Sequence, residues 1–253
     1  MNHSKVAILI LAGGGRRYEP LINAVRESWV LEAQRLGINV FFYRGGSQKD
    51  EIVEDYIHVN VDDSLEHCYL KFIAAAKFLC KVNPDIQVIF RTNISSYIDI
   101  ESFASYLAVN DLHENSLFGF QGTALVWAEK LHRWKWISYA LRIARIGPRF
   151  TFYSGAGFFI GKNVLYQLLD SPGTYMIDDV EIGYQNPPHS GSNTPFPRIY
   201  ITDKFVKISK TEYNAFLKQG LFHYKFKTSD RLMDAACIIK FGDKNSRVEF
   251  LTK

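Results

Sequence analysis

Six consecutive apolar residues, Val6 to Leu11 (VAILIL), run almost directly into Gly13-Gly14-Gly15. A run with no polar face has nothing to give to water, so it reads as a strand buried on both sides of a parallel sheet. Leu21 to Leu36 follows with Ile22, Val25, Trp29, Ala33 and Leu36 at helical spacing, and Gly37 stops it. Val40 to Tyr43, Ile86 to Phe90 and Phe158 to Ile160 repeat the short apolar run. This alternation predicts an α/β fold with a central, mostly parallel sheet flanked by helices. The 253 residues can bury a large core, and no repeat or low-complexity segment interrupts them.

Charge narrows the partners. The formal net charge is +4, but Trp127 to Arg149 holds Lys130, Arg133, Lys135, Arg142, Arg145 and Arg149 against Glu129 alone. One basic patch on an otherwise slightly acidic chain does not fit whole-surface nucleic-acid binding. The same segment spaces Trp127, Leu131, Trp134, Ile137 and Leu141 as an apolar stripe. It reads either as a surface for anionic lipid or as a core helix with a solvated basic face. Cys68, Cys80 and Cys237 are odd in number and lack metal-ligand spacing, which fits a reducing compartment. No signal peptide is visible, and no run approaches the roughly 20 apolar residues of a membrane span. A cytoplasmic protein is expected, with peripheral contact at the inner face of the membrane left open.

Phe152 to Gly183 gathers the chemistry. Ser154-Gly155-Ala156-Gly157 reads as a small-residue loop that lets backbone approach a ligand. A strand at Phe158 to Ile160 and a helix from Lys162 to Leu169 follow, stopped at Asp170-Ser171-Pro172-Gly173. Asp178-Asp179 then lies between Met176-Ile177 and Val180. A carboxylate pair with apolar flanks is costly to bury and suits proton chemistry or cation binding. A solvated turn or helix N-cap is the plainer reading. Gly13 to Arg17, including Gly14 and Arg16, suits a loop wrapping phosphates, or a flexible turn. Asp63 with Glu66 reads as a helix cap, Leu65, Tyr69, Phe72, Ala76 and Leu79 as the buried stripe, and Lys71 lies near its edge. Tyr184 to Arg198 reads as a lid or a connector. Leu221 to Lys227 alternates, placing His223, Lys225 and Lys227 on one face of a strand, or of a solvated edge strand.

Two resemblances compete at the amino end. LAGGGRRYEPL is similar to the opening of sugar nucleotidyltransferases, LAGG-x-G-T-R-L-x-P-L, but is one residue short, lacks the Thr and has no downstream Lys-Pro pair. Ala24 to Trp29 (AVRESW) resembles the AIRETW element of the β-1,3-glycosyltransferases, the family that includes Fringe. Val61 to Lys71, Arg91 to Asp99, Tyr153 to Phe158 and Ile177 to Gly183 resemble further elements of that family in the same order. The second resemblance covers residues 20 to 185 and is preferred.

It implies a GT-A fold over residues 1–253, with a nucleotide-sugar half at 1–110 and an acceptor and catalytic half at 111–253. It further implies inverting transfer of a sugar from a UDP-linked donor to a hydroxyl of a glycan or lipid-linked glycan. Asp179 would be the base, with Asp178 orienting it or holding sugar hydroxyls. Arg26, Lys71 and Gly13 to Arg17 would face the donor, and Ser154 to Gly157 would line the sugar pocket. The family's metal-binding Asp-x-Asp is replaced by Asn93-Ile94-Ser95, whose amide and hydroxyl oxygens are weak ligands for Mn²⁺. No cofactor beyond the donor is expected, although Mn²⁺ on Asp178 and His223 is the competing reading. Arg91, Lys225, Lys227 and Arg231 would neutralise the diphosphate, with His223 as counterpart of the family's carboxyl-terminal histidine. A sugar-phosphate nucleotidyltransferase and a non-catalytic glycan-binding module are the alternatives.

Overall fold

The computed structural model describes residues 3–130, 134–168, 170, 178–186 and 196–253, with the side chains of 129 and 130 excepted. VAILIL forms β1 (Val6–Leu11), with Val6 to Ile10 fully buried. The predicted first helix is α1 (Glu19–Val25), a π turn at Arg26–Val30, and α2 (Leu31–Arg35). The π turn carries Trp29, which is fully buried and donates from Nε1 to the Ser96 carbonyl at 3.1 Å. Gly37 ends the helix at φ 75°, a conformation that costs glycine little.

β2 (Asn39–Arg44), β3 (Glu51–Val53) and β4 (Tyr56–His58) follow, then α3 (Cys68–Val82), β5 (Val88–Asn93), β6 (Ser96–Ile98) and α4 (Ile100–Val109). The later chain adds β7 (Leu117–Leu125), α5 (Val126–Lys130), α6 (Lys135–Ala144), β8 (Arg149–Gly161), α7 (Lys162–Gln167) and α8 (Asp178–Gln185). It closes with β9 (Arg198–Ile201), α9 (Lys210–Lys218), β10 (His223–Phe226), α10 (Arg231–Phe241) and α11 (Lys244–Leu251). Asp99, Ser209, Asp230 and Asp243 cap α4, α9, α10 and α11 by accepting from the first-turn N–H groups of Ser102, Glu212, Leu232 and Ser246.

The expected α/β architecture is present. A seven-stranded sheet runs β3-β4-β2-β1-β5-β8-β7, parallel across β4-β2-β1-β5 and antiparallel towards both edges. A second sheet, β6-β10-β9, pairs β10 with β6 antiparallel and with β9 in parallel. Aromatic side chains weld the two sheets together. Phe90 of β5 and Phe159 of β8 lie 4.7 Å apart by ring centroid, as do Phe196 and Phe222. Phe90 also meets Phe222 edge-on at 5.7 Å. Truncating such a buried ring costs about 3–5 kcal/mol, so this joint fixes β10 beneath β5 and β8.

Several local expectations are corrected. Ser154 to Gly157 is no loop but the middle of β8. Leu65 is exposed and leaves the stripe of α3, which retains Tyr69, Phe72, Ala76 and Leu79. Asp63 does not cap α3; its carboxylate accepts from Gly14 N and Gly45 N, at 3.1 Å each, and pairs with Lys71 at 2.9 Å. β10 is the central strand of the smaller sheet, buried throughout, and not a solvated edge. The helix after β8 ends at Gln167; its expected Leu169 and the stop at Ser171 to Gly173 lie outside the described residues. Nor is the basic segment a core helix: within α6 only Ser138 is buried, while Trp134, Trp136, Ile137, Tyr139 and Ile143 are exposed. Its Leu131 and Arg133 lie outside the described residues, as do 187–195 of the expected lid. Among the described residues no helix is long and apolar enough to cross a membrane.

Candidate functional site

β5 and β1 are parallel neighbours at the centre of the large sheet, and their carboxyl ends open at one edge. β5 ends there in Arg91-Thr92-Asn93, and Ser95 and Ser96 turn the chain into β6. Thr92 secures this end by donating to the Ala156 carbonyl of β8 at 2.8 Å. Ser95 and Ser96 donate to Asn93 Oδ1 at 3.2 and 3.3 Å. The Trp29 bond to the Ser96 carbonyl holds the turn from behind.

Into this turn comes Lys225 from β10. Its ammonium donates to Asn93 Oδ1 and Ser95 Oγ, with the Ser95 carbonyl at 3.4 Å. Three oxygens thus surround the one nitrogen. Burial pushes the Lys225 amine well below its ordinary value, and Arg91, Arg231 and Arg198 push the same way. His223, two residues earlier, is fully buried and shares a hydrogen bond with Ser96 Oγ at 3.1 Å through Nε2. Burial, Arg198 and Lys225 lower its pKa, so the imidazole is neutral. Its Nδ1 has no hydrogen-bond partner.

The acid pair opens α8. Asp178 is buried against Arg91 at 2.6 Å, an ion pair closed to water on both sides. Burial disfavours charge on Arg91, but Asp178, Tyr43 and Asp179 together hold it charged. Asp179 accepts from Gly155 N at 2.5 Å and Val180 N at 3.0 Å. Burial and then the Asp178 charge push the Asp179 carboxyl up to about 6, against the pull of Gly155, Arg91 and Val180. One carboxylate is therefore neutralised by a fixed guanidinium, while its neighbour sits close to neutrality, the condition a general base requires.

The small residues of β8 serve this packing. A Cβ on Gly155 would lie 3.1 Å from the Asp179 carboxyl and 3.0 Å from Arg91. One on Gly157 would meet His223 at 2.7 Å. The expectation that these glycines admit a ligand becomes, in the structure, that they admit the chain's own Arg91, Asp179 and His223. Ser154 and Ala156 lie in the same strand, between Tyr153 and Gly157.

Other predicted residues lie apart. Gly14 N–H is engaged by Asp63, and a Cβ on Gly13 would meet Tyr18 at 2.8 Å, so this loop is braced internally and does not present Gly14 to a phosphate. Arg16 is exposed, and Arg17 donates to the Tyr18 hydroxyl at 2.7 Å. Lys71 is buried on Asp63, which makes it a brace of the same loop. Arg26 pairs with Asp55 at 2.8 and 3.1 Å and lies over Phe42. Lys227 is exposed beyond the end of β10. Arg231 pairs with Asp234 at 2.9 Å, although its charge reaches Lys225.

Sequence reasoning missed Ser96, Trp29 as its support, and Arg198. Trp29 stands within the AVRESW motif and was accessible to it; Arg198, closing a proline-rich stretch, carried no signal. A cleft of about 970 Å³ lies elsewhere, between α4, α9 and α11. Its floor is closed by the ion pair of Arg247 with Asp99.

A GT-A fold brings the question of a divalent metal at the Asn93-Ser95 turn. The donor set does not fit one: both side-chain oxygens are held by Lys225, and Asp178 is held by Arg91. Among the described residues no group of three or more His, Cys, Asp or Glu is placed to hold a metal ion.

Three comparisons bear on this geometry. The fold is similar to the crystal structure of a glycosyltransferase involved in the glycosylation of the major capsid of PBCV-1, with TM-score 0.52 and 9% identity. The match covers 92% of this chain and 98% of that one, and at this identity it speaks to fold alone. No curated protein matches the chain significantly. The family model described as CotH kinase protein matches residues 42–221, from β2 into the approach to β10. That span exceeds half of the sequence and includes Arg91, Asn93, Asp178 and Asp179 but stops short of His223 and Lys225, and by it the chain belongs to the CotH kinase protein family.

Proposed function

We propose that this protein transfers a sugar, with inversion, from a UDP-linked donor to a hydroxyl of a glycan or lipid-linked glycan, without a divalent metal. The observation that carries the reading is Lys225 seated on Asn93 and Ser95, at the end of the strand whose Arg91 neutralises Asp178. Asp179 takes the proton of the acceptor hydroxyl as its oxygen attacks the anomeric carbon. The bond from that carbon to the diphosphate breaks, and Lys225, whose amine takes up a proton once the anionic diphosphate stands beside it, stabilises the departing phosphate oxygen. Asp178, fixed by Arg91, orients the site and keeps the Asp179 carboxyl basic. The glycosyltransferase neighbour supports this reading at the level of fold. Thermal unfolding with a panel of nucleotide sugars tests it: a UDP-sugar raises the melting temperature in EDTA, whereas no shift with any member contradicts it.

The family description favours a second reading, phosphoryl transfer from a nucleoside triphosphate. Asp179 and Lys225 would serve there as base and phosphate contact. The two readings differ in which bond of the donor breaks.

The exposed face of α6 gives the protein a place to meet a lipid-linked acceptor. Trp134, Trp136, Tyr139 and Ile143 are left to solvent beside Lys135, Arg142 and Arg145. Aromatic rings with basic neighbours suit the headgroup region of an anionic bilayer.

A further inference from the structure

Arg198, the first residue of β9, is buried, with 9% of its surface exposed, and none of its three guanidinium nitrogens has a hydrogen-bond partner. This sets it apart from Arg26, Arg91, Arg231 and Arg247, each of which has a carboxylate. Its guanidinium lies over the rings of Phe120 and Tyr200, 4.7 and 4.6 Å from their centroids. Aromatic faces attract a cation but offer no lone pair in line with its N–H edge, and the Tyr200 hydroxyl, though close enough to favour the charge, makes no aligned hydrogen bond to it. Both rings are about 40% exposed, so the group lies just beneath the surface.

Its place in the sheet is informative. Arg198 stands in register with His223 across the parallel pair β9-β10. Burial lowers its pKa, with Tyr200 and then Asp179 opposing. A buried guanidinium without an acceptor is a standing cost to the fold, kept where a ligand supplies the acceptor. A planar fork suits the paired oxygens of a phosphate.

We propose that Arg198 binds a phosphate group of the substrate beside His223, as a second basic contact of the candidate site distinct from Lys225. The inference rests on the proposed reading of the candidate site as one for a phosphate-bearing substrate, and it holds whichever group is transferred. The phosphate belongs either to the donor diphosphate or to a phosphorylated acceptor.

Titration with inorganic pyrophosphate and, separately, with glucose 1-phosphate distinguishes these sources in wild type, Arg198→Met and Arg198→Lys. Arg198→Met is expected to weaken one of the two by about 10–100-fold, as for a lost charge-assisted hydrogen-bond pair. Arg198→Lys, which keeps charge without the fork, falls between. The ligand-free Arg198→Met protein is expected to melt no lower than wild type, because methionine fills the same aromatic contacts without a stranded charge. Unchanged affinity for both probes in the folded variants overturns the proposal. So does a ligand-free Arg198→Met protein that unfolds while Arg198→Lys binds both probes normally, which makes the residue structural. If Arg198→Met loses pyrophosphate and the wild type transfers no sugar, the glycosyl-transfer reading fails while this one stands.

Discussion

Replacing Lys225 with methionine separates the charge of this side chain from its bulk. The residue is buried, and methionine keeps the unbranched stem while removing three N–H donors. Asn93 Oδ1 still accepts from Ser95 and Ser96 at 3.2 and 3.3 Å, so little is left unsatisfied. Removing a desolvated polar amine also offsets the lost bonds, and stability should change by no more than about 1–2 kcal/mol. Catalysis should respond differently. A unit charge about 4 Å from a phosphate oxygen contributes roughly 4 kcal/mol at an effective dielectric near 20. That corresponds to about 10³-fold in rate; with Arg91 and Arg198 still nearby, a loss of about 10²–10³ in kcat is expected. The assay is nucleotide release under saturating donor, alongside thermal unfolding of the same samples. Adding Mn²⁺ to Lys225→Met should restore nothing, because Asn93 and Ser95 offer no carboxylate. Combining it with Asn93→Asp and Ser95→Asp should create a protein whose activity rises with Mn²⁺. Near-normal turnover in Lys225→Met, or its rescue by Mn²⁺ alone, would refute the reasoning.

The remaining expectations concern Asp179, β8 and α6. Since burial and Asp178 hold the Asp179 carboxyl up at about 6, its basic form grows as pH rises through 6, and kcat/KM should show a rising limb there. Asp179→Asn should lower turnover about 10²–10⁴-fold and abolish that limb. The same raised value favours the fold below the unfolded pKa of about 4 and loses that contribution as pH rises through 6. Asp179→Asn should therefore be no less stable than wild type at pH 7.5, which urea titration measures. Gly157→Ala places a methyl 2.7 Å from His223 and 2.9 Å from Phe90; overpacking should cost about 1–3 kcal/mol, read by the same titration. Co-sedimentation should show binding to phosphatidylserine vesicles at low salt, weakened by Trp136→Ser with Tyr139→Ser; equal recovery without vesicles rejects the membrane face.

The fold was legible because its determinants are local. VAILIL allows little besides a central strand, and the apolar runs at residues 40, 86 and 158 reappear as β2, β5 and β8. The acid pair was legible as chemistry because carboxylates with apolar neighbours are costly to bury. What could not be read was who compensates whom. Lys225 and Asn93 are far apart in sequence and meet only because the aromatic joint carries β10 under β5. Arg26, Lys71 and Gly14 carry the residue types of a phosphate site, but Asp55 and Asp63 reach them first. Strand alternation rightly put His223 and Lys225 together, yet it could not tell a buried central strand from a wet edge. β8 was misjudged for a related reason: glycines beside a ligand and glycines beside a buried arginine look the same in sequence.

The central claim is that the donor breaks at its sugar and not at its terminal phosphate. The most direct measurement offers the protein a glycan acceptor with sugar-labelled UDP-sugars in one series and γ-phosphate-labelled ATP in another, all in EDTA. The account predicts label on the acceptor from a UDP-sugar with one UDP released per transfer, lost in Asp179→Asn, and none from ATP. Label from the γ-phosphate of ATP, with no sugar transferred from any donor, would contradict it.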